Sequence, residues 1–344
     1  MRSFKMFVFG IRVFFNNITF NNIIQILRFS FKRYLLGKRV PVSAVFALTY
    51  RCQCSCVHCS VGDYMEKEEI DSESAKKIIF SLKKFGVLKI TFFGGEPLLR
   101  KDIVELVSFA SKLGLRTSID TNGIFINDKL VSELKKAGIG NINVSIDSSD
   151  PKIHDFLRKY DGCFEKAVNA IKICVKNNIP VIISTYASKR ALNSGDLEKI
   201  IDLGKKLKVK GVKILFPILS GKWRKKEEEL LNDSETSRLM GLTDPAFVYI
   251  EDALEMVKSN SKGCSALRGN LIYISPTGEV QPCPAVPLSF GNVRDKNIEE
   301  ILSLMEYKFS LKYSGKSGCI MNDGEFRKDL FIQKDTYPLK CGDK

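Results

Sequence analysis

Ser43-Ala44-Val45-Phe46-Ala47-Leu48-Thr49-Tyr50-Arg51-Cys52-Gln53-Cys54-Ser55-Cys56-Val57-His58-Cys59 carries a short strand-like run straight into a loop that holds four of the ten cysteines in eight residues. Cys52, Cys56 and Cys59 are spaced C-x3-C-x2-C. So short a loop can turn three sulfurs to one face, and soft thiolates select zinc, copper(I) or iron-sulfur centres over hard cations. Three ligands would leave a cubane cluster one iron short of full protein ligation, and an open iron is where a substrate or cosubstrate binds. Zinc would want a fourth ligand at a matching spacing. The chain has no second C-x2-C, and its one other histidine is His154. A thioredoxin-like dithiol would use Cys56 and Cys59 and leave Cys52 unexplained. The loop alone leaves an open iron-sulfur cluster, a zinc knuckle and a redox pair all standing.

Outward from the loop the pattern repeats. Short β-branched runs recur at Ser43–Leu48, Lys89–Phe93, Leu115–Ile119, Asn141–Ile146, Ile179–Thr185 and Gly211–Phe216. Between them lie segments of helical period at Ser72–Phe85 (entered at Asp71, left at Gly86), Lys101–Leu113, Asp128–Ala137, Phe164–Asn177 and Asp196–Leu207. Alternating strand and helix predicts α/β architecture with parallel βαβ units. Six units predict a partial (β/α)6 parallel barrel, short of the eight-fold closed form.

The unusual residues all follow a strand. The cysteine loop follows the first, Gly94-Gly95-Glu96-Pro97 the second, Asp120-Thr121-Asn122-Gly123 the third, and Ser145 and Asp147 close the fourth. The C-terminal rim of a parallel sheet is where ligands bind, because its loops converge on one mouth. Taken singly, Gly94-Gly95 and Asn122-Gly123 read equally as turn signals. Glycines after a buried strand also let backbone approach a ligand, Glu96 can accept from an ammonium group, and Asp147 beside Ser145 suits a ribose diol.

Those residues resemble the radical S-adenosylmethionine (SAM) superfamily, whose C-x3-C-x2-C loop, GGEP motif and partial barrel are matched from about residue 43 to 216. The resemblance implies that Cys52, Cys56 and Cys59 hold a [4Fe-4S] cluster whose fourth iron is chelated by SAM, with Cys54 a bystander. It implies that Gly94, Gly95, Glu96 and Pro97 receive the SAM amino group. Asn122, Ser145 and Asp147 would lie near its ribose and methionyl parts, and Arg158, in His154-Asp155-Phe156-Leu157-Arg158, near its carboxylate. His58 stands where the family usually has an aromatic residue. The implied chemistry is reductive cleavage of SAM to a 5′-deoxyadenosyl radical that abstracts a hydrogen atom from substrate, with flavodoxin or ferredoxin as the type of electron donor.

Farther on, Leu271-Ile272-Tyr273-Ile274 and Glu279-Val280-Gln281 read as a β-hairpin turned at Pro276-Thr277-Gly278 and flanked by Cys264 and Cys283. Gly291-Asn292-Val293-Arg294 and a helix at Ile298–Leu304 follow, then Cys319 and Cys341. This region looks like the SPASM or shorter twitch extension of radical SAM enzymes, without the full cysteine array. One auxiliary [4Fe-4S] cluster is the most its cysteines support, with Cys264, Cys283 and Cys319 as ligands and Cys341 as a fourth. Cys163 and Cys174 read as core thiols. Lys222–Leu231 reads as a solvated helix.

Composition narrows the rest. A chain of 344 residues, 44 % apolar and 27 % charged, is globular and long enough for more than one domain. The expected division is an extension over 1–42, the barrel over 43–220, a helical connector over 221–262 and the auxiliary iron-sulfur domain over 263–344. Crowded cysteines are poor geometry for disulfides and point to a reducing, cytoplasmic compartment. The first 62 residues hold nine Lys or Arg and no acid, so the remaining 282 carry only +6 of the +15 net charge. Nucleic-acid binding by the body is therefore not expected. Phe20, Ile23, Ile24, Leu27, Phe31, Tyr34 and Leu35 fall near one helical face. Residues 1–40 thus predict either an amphipathic helix on an anionic membrane surface, making the protein peripheral on the inner membrane face, or a helix packed on its own domain. Val13–Leu27 is too short an uncharged run to span a bilayer. The substrate classes are peptide or protein side chains, small molecules and lipids. No strand pair of the leader-binding kind precedes Pro41, which favours a substrate without a leader. The rival from another class is a non-enzymatic zinc-binding interaction module with a nucleic-acid-contacting arm.

Overall fold

Six parallel strands form where the β-branched runs fall: β1 (Ser43–Ala47), β2 (Lys89–Phe93), β3 (Arg116–Thr121), β4 (Asn141–Ser145), β5 (Val181–Tyr186) and β6 (Gly211–Leu215). The computed structural model from which they are read describes residues 19–60, 68–250, 264–316, 318–331 and 338–341. Before β1 lies α1 (Phe20–Ser30). Crossovers are made by α2 (Ser72–Phe85), α3 (Ile103–Lys112), α4 (Asp128–Lys136), the pair α5 (Pro151–Arg158) and α6 (Cys163–Lys176), and the pair α7 (Lys189–Asn193) and α8 (Asp196–Lys206).

The helix signals act as read. Asp71 caps α2 by accepting from Ser74 N–H, Lys83 and Lys84 sit at its carbonyl end, and Gly86 stops it with φ +116. Its buried face, Ala75, Ile78, Ile79, Leu82 and Phe85, lies on the sheet. Each such aliphatic side chain contributes about 1.5–3 kcal/mol by leaving water. The strands present Ile90, Phe92, Ile119, Ile142, Val144, Ile183, Val212 and Ile214 to that core. Their alternate residues are polar: Thr91 and Ser118 share a hydroxyl hydrogen bond of 2.8 Å, and Lys213 Nζ lies 3.6 Å from Asp120.

The connector departs from the expected solvated helix. Lys222–Leu231 instead holds 3₁₀ turns at Gly221–Trp223 and Glu227–Glu229, and the α-helix, α9, starts at Asp233 and runs to Gly241. The reason is local: a Cβ on Gly221 would stand 2.2 Å from the Cys59 carbonyl, so the segment is docked on the cysteine loop. Then β7 (Val248–Ile250) adds a seventh parallel strand beside β6. Residues 251–263, including the expected domain boundary, lie outside the described residues.

The C-terminal region joins the same sheet. β8 (Leu271–Ile274) pairs in parallel with β1, from Ser43↔Leu271 to Phe46↔Ile274, and turns through Gly278 (φ +92) into antiparallel β9 (Val280–Gln281). The sheet order is β7-β6-β5-β4-β3-β2-β1-β8-β9, and among the described residues its ends do not close. β10 (Leu288–Ser289), α10 (Ile298–Met305), α11 (Gly324–Phe331) and β11 (Leu339–Lys340) complete the chain, β10 and β11 pairing in parallel.

Candidate active site

The loop after β1 is clamped by three neighbours. Thr49 and Arg51 carbonyls accept from Gly95 N–H at 2.7 Å and Glu96 N–H at 2.9 Å. Ser55 and Val57 N–H donate to the Arg158 and Leu157 carbonyls at 3.2 and 2.9 Å. Lys222 N–H donates to the Cys59 carbonyl at 3.0 Å, and its Nζ donates to Ser55 Oγ at 2.9 Å. The glycine pair has a packing role of its own. A Cβ on Gly94 would meet the Thr49 carbonyl at 2.4 Å, and one on Gly95 the Arg51 carbonyl at 2.4 Å. The glycine pair is therefore required by close packing of the cysteine loop itself.

Beneath the loop lies a buried charge cluster. Asp147 is 3 % exposed, and its Oδ2 is 2.6 Å from Arg158 Nε and 3.3 Å from His58 Nε2. Burial pushes the Asp147 carboxyl up, but the Arg158 guanidinium, with His58 adding to it, holds it well below the usual carboxylate range. Arg158 also directs Nη1 at Cys56 Sγ, 3.7 Å away. Hydrogen bonding from Cys54 and then the charge of Arg158 draw the Cys56 thiol down to about 5 against burial. Arg158, its side chain 11 % exposed, is thus an interior cation shared by Asp147 and Cys56. Ser145 ends β4, in register with Ser184 of β5.

Glu96 is fully buried. Its carboxylate accepts from Leu98 N–H at 3.1 Å, Thr121 Oγ1 at 2.8 Å and Asn122 N–H at 2.9 Å. Pro97 fixes the 3₁₀ turn that Glu96 caps. Asn122 accepts from Gln53 Nε2 at 2.9 Å and places Nδ2 3.9 Å from Cys52 Sγ. Burial raises the Glu96 carboxyl to about 7 despite these donors. A carboxyl raised in the folded state binds its proton longer than in the unfolded chain, so stability falls as pH rises between about 4.3 and the folded value. Glu96→Gln is expected to remove a loss of about 3 kcal/mol across that window, read as a flatter stability-versus-pH curve in denaturant titrations.

Two thiols read differently in three dimensions. Cys54 stands among Cys163, Cys52 and Cys56, and hydrogen bonding to these three sulfurs, with burial, holds its own proton on. Cys163, taken as a core thiol, is buried beside Cys54 and His154, with Cys54 and then His154 drawing it to about 6. Cys174 stays an inert core thiol, pushed up to about 12 by burial. Sequence reasoning also missed an aromatic wall. His58 packs against Tyr186 (ring centroids 4.7 Å apart) and Trp223 (5.9 Å), which touch each other at 5.7 Å. Tyr186 was legible only as the last residue of a strand, and Trp223 as part of a charged stretch.

The C-terminal cysteines split. Cys264 is buried beneath the hairpin, and burial followed by Cys264 and Cys319 raises the Cys283 thiol, so these three lie within electrostatic reach of one another. Cys341 is held by the chain rather than frayed, since its N–H donates to the Ser289 carbonyl at 2.8 Å beside β11. The charges that act on it are Lys308 and Lys312.

The donor set suits the expected groups. The Asp147 Oδ1 atom is buried without a hydrogen-bond partner, a ready acceptor for a hydroxyl or ammonium donor. Glu96, with three donors, keeps acceptor capacity for a fourth. Among the described residues no three His, Cys, Asp or Glu side chains stand close enough for a single metal ion.

Residues 46–204 match the radical SAM superfamily, and residues 264–341 match SPASM, an iron-sulfur cluster-binding domain. The chain is 28 % identical over 289 residues to an AdoMet-dependent heme synthase of Methanosarcina barkeri, covering 76 % of this chain and 82 % of that one. It is 27 % identical over 277 residues to a PqqA peptide cyclase of Rhizobium meliloti, covering 76 % and 73 %. Among solved structures, Streptococcus suis SuiB bound to precursor peptide SuiA aligns with a TM-score of 0.68 at 19 % identity, covering 89 % of this chain and 80 % of that one. That likeness shows the fold.

Proposed function

The chain belongs to the radical SAM superfamily with a C-terminal SPASM domain, and from that premise we propose that it modifies a peptide or protein substrate by hydrogen abstraction, the substrate lying between the cysteine loop and the Cys264–Cys283 hairpin. It is an enzyme, and SAM, a SAM-binding [4Fe-4S] cluster and auxiliary iron-sulfur ligation belong to its two domains; the zinc-binding interaction module is set aside. When bound, SAM and the reduced cluster supply one-electron, hydrogen-abstracting chemistry. The observation that carries the assignment is the Cys56–Arg158–Asp147 array beneath a clamped C-x3-C-x2-C loop.

The roles of this chain's residues follow from their surroundings. Cys52, Cys56 and Cys59 are the ligands in this reading, with Arg158 stabilising the Cys56 thiolate. Glu96 supplies a buried negative charge for the SAM ammonium, and Asp147 Oδ1 and Asn122 supply acceptors beside it. His58, Tyr186 and Trp223 pack tilted or edge-to-face into an aromatic cluster, one ring of which can stack on a purine while the others exclude water. Cys264, Cys283 and Cys319 hold the auxiliary cluster, and Cys341 is the remaining thiol on that side. The peptide reading takes support from the relatives named for peptide work and from the proximity of β8 to the loop. A flavodoxin- or ferredoxin-type donor and a cytoplasmic location complete it.

Anaerobically reconstituted protein, given SAM and a reductant, is expected to form 5′-deoxyadenosine. A low-molecular-mass fraction of host extract is expected to stimulate it, and protease digestion of that fraction to abolish the stimulation. Full iron loading without SAM cleavage would sink the enzyme reading. Stimulation that survives protease would replace the peptide with a small molecule.

A further inference from the structure

α1 is packed the wrong way round for a core helix. Its buried side chains are Asn22, Gln25 and Phe29. Asn22 donates to the Gly114 carbonyl at 2.9 Å, and Gln25 Nε2 donates to the Lys83 and Val87 carbonyls at 2.9 and 2.8 Å. Asn21 adds a bond to the Lys112 carbonyl at 2.9 Å. These acceptors end α2 and α3 and lead into β2 and β3, so α1 caps the N-terminal ends of the strands. Helical spacing then turns Phe20, Ile23, Ile24, Leu27, Tyr34 and Leu35 outward, and Phe20, Leu27, Tyr34 and Leu35 are 63–77 % exposed. Among the described residues no helix is long and apolar enough to cross a membrane.

We propose that this outward face docks on an anionic lipid bilayer, with the barrel mouth turned away from it. Charge selects the occupant. Arg28 and Lys38 flank the face in sequence, while Lys32 and Arg33 turn back to the domain, donating to the Lys84 and Val40 carbonyls at 2.8 and 3.0 Å. The acids that act here are Glu299, opposite Lys32, and Glu306, paired with Arg39 at 3.3 Å. A second copy of the chain would bring the same cations against themselves. Residues 1–18 carry Arg2, Lys5 and Arg12 and no acid, so they too complement an anionic surface rather than this helix. Apolar side chains flanked by Lys and Arg are the composition of an interfacial helix. The cysteine loop leaves the opposite ends of the strands, so the substrate reaches the mouth from the aqueous side.

The test is cosedimentation of the full reconstituted chain with phosphatidylglycerol–phosphatidylcholine vesicles and with pure phosphatidylcholine vesicles. Binding is expected on the anionic vesicles, weakened at high salt. Leu27→Glu and Leu35→Glu are each expected to weaken it by about tenfold or more, from lost burial plus repulsion, with the thermal midpoint unchanged. Equal binding by variants and parent would overturn the proposal. So would a lowered midpoint without an effect on vesicle binding, the sign that residues 1–18 cover the face, or loss of a dimer, the sign of a second copy. Trp223, the single tryptophan, lies at the mouth. Its emission on vesicles with brominated chains is expected to equal that on unbrominated ones, and quenching would overturn the orientation.

Discussion

Cys56→Ala is expected to reduce 5′-deoxyadenosine formation to the level seen without enzyme, while Cys54→Ala retains it. Both residues sit in one loop, two positions apart, and spacing alone separates them only by counting. Their environments separate them physically. Cys56 is buried, faces Arg158 Nη1 at 3.7 Å and is drawn toward thiolate, whereas Cys54 is the neighbour that keeps its proton. A thiolate is the ligand form of cysteine, and the Arg158 guanidinium beside Cys56 favours that form there. Iron analysis checks the same point. With roughly eight irons per chain in parent and Cys54→Ala, Cys56→Ala should retain about four in the C-terminal region. Loss of activity in Cys54→Ala at full iron content would make Cys54 a participant and overturn the assignment.

Asp147→Asn is expected to destabilise the fold by about 3–5 kcal/mol, because it strands the Arg158 guanidinium in the interior. The side chain keeps its size, so the loss is electrostatic rather than a cavity. Asp147→Asn combined with Arg158→Met should recover most of it, since removing both charges leaves neither unpaired. Denaturant midpoints of the two single variants and the double variant measure the coupling. Additive losses would show that the pair contributes nothing beyond its packing. The Asp147 carboxyl lies below its unfolded range, so the contribution is complete above about pH 4 and is lost only as pH falls through the folded value.

Much of the fold was legible because its signals are local. Asp71 and Gly86 bracket α2 at the predicted residues, Lys89–Phe93 is β2 without adjustment, and the hairpin at Pro276-Thr277-Gly278 forms as read. The α/β class followed from strand and helix alternating. What stayed hidden depends on contacts distant in sequence. Nothing local tells that Gly221 must lie within reach of the Cys59 carbonyl, and the seven acidic or basic residues of Lys222–Leu231 made that stretch look solvated. Arg158 on a polar helix gave no sign of burial until β4 placed Asp147 beneath it. Cys163 likewise needed α6 to bring it to Cys54. The amphipathic pattern of α1 was visible, but not that its polar amides would face inward, since unsatisfied helix-end carbonyls outbid the apolar stripe there.

The pairing of β8 with β1 makes the two matched regions inseparable as folding units. Four residues of each strand are laddered in register, so Val45 and Phe46 owe one set of backbone partners to residues more than two hundred positions later. A chain ending before residue 264 would uncover β1 along its length and present an unpaired, β-branched edge, the kind that recruits other chains. The barrel half expressed by itself would thus meet aggregation before catalysis. During synthesis the cysteine loop, though emerging early, waits for the last quarter of the chain before the strand that carries it is fully bonded.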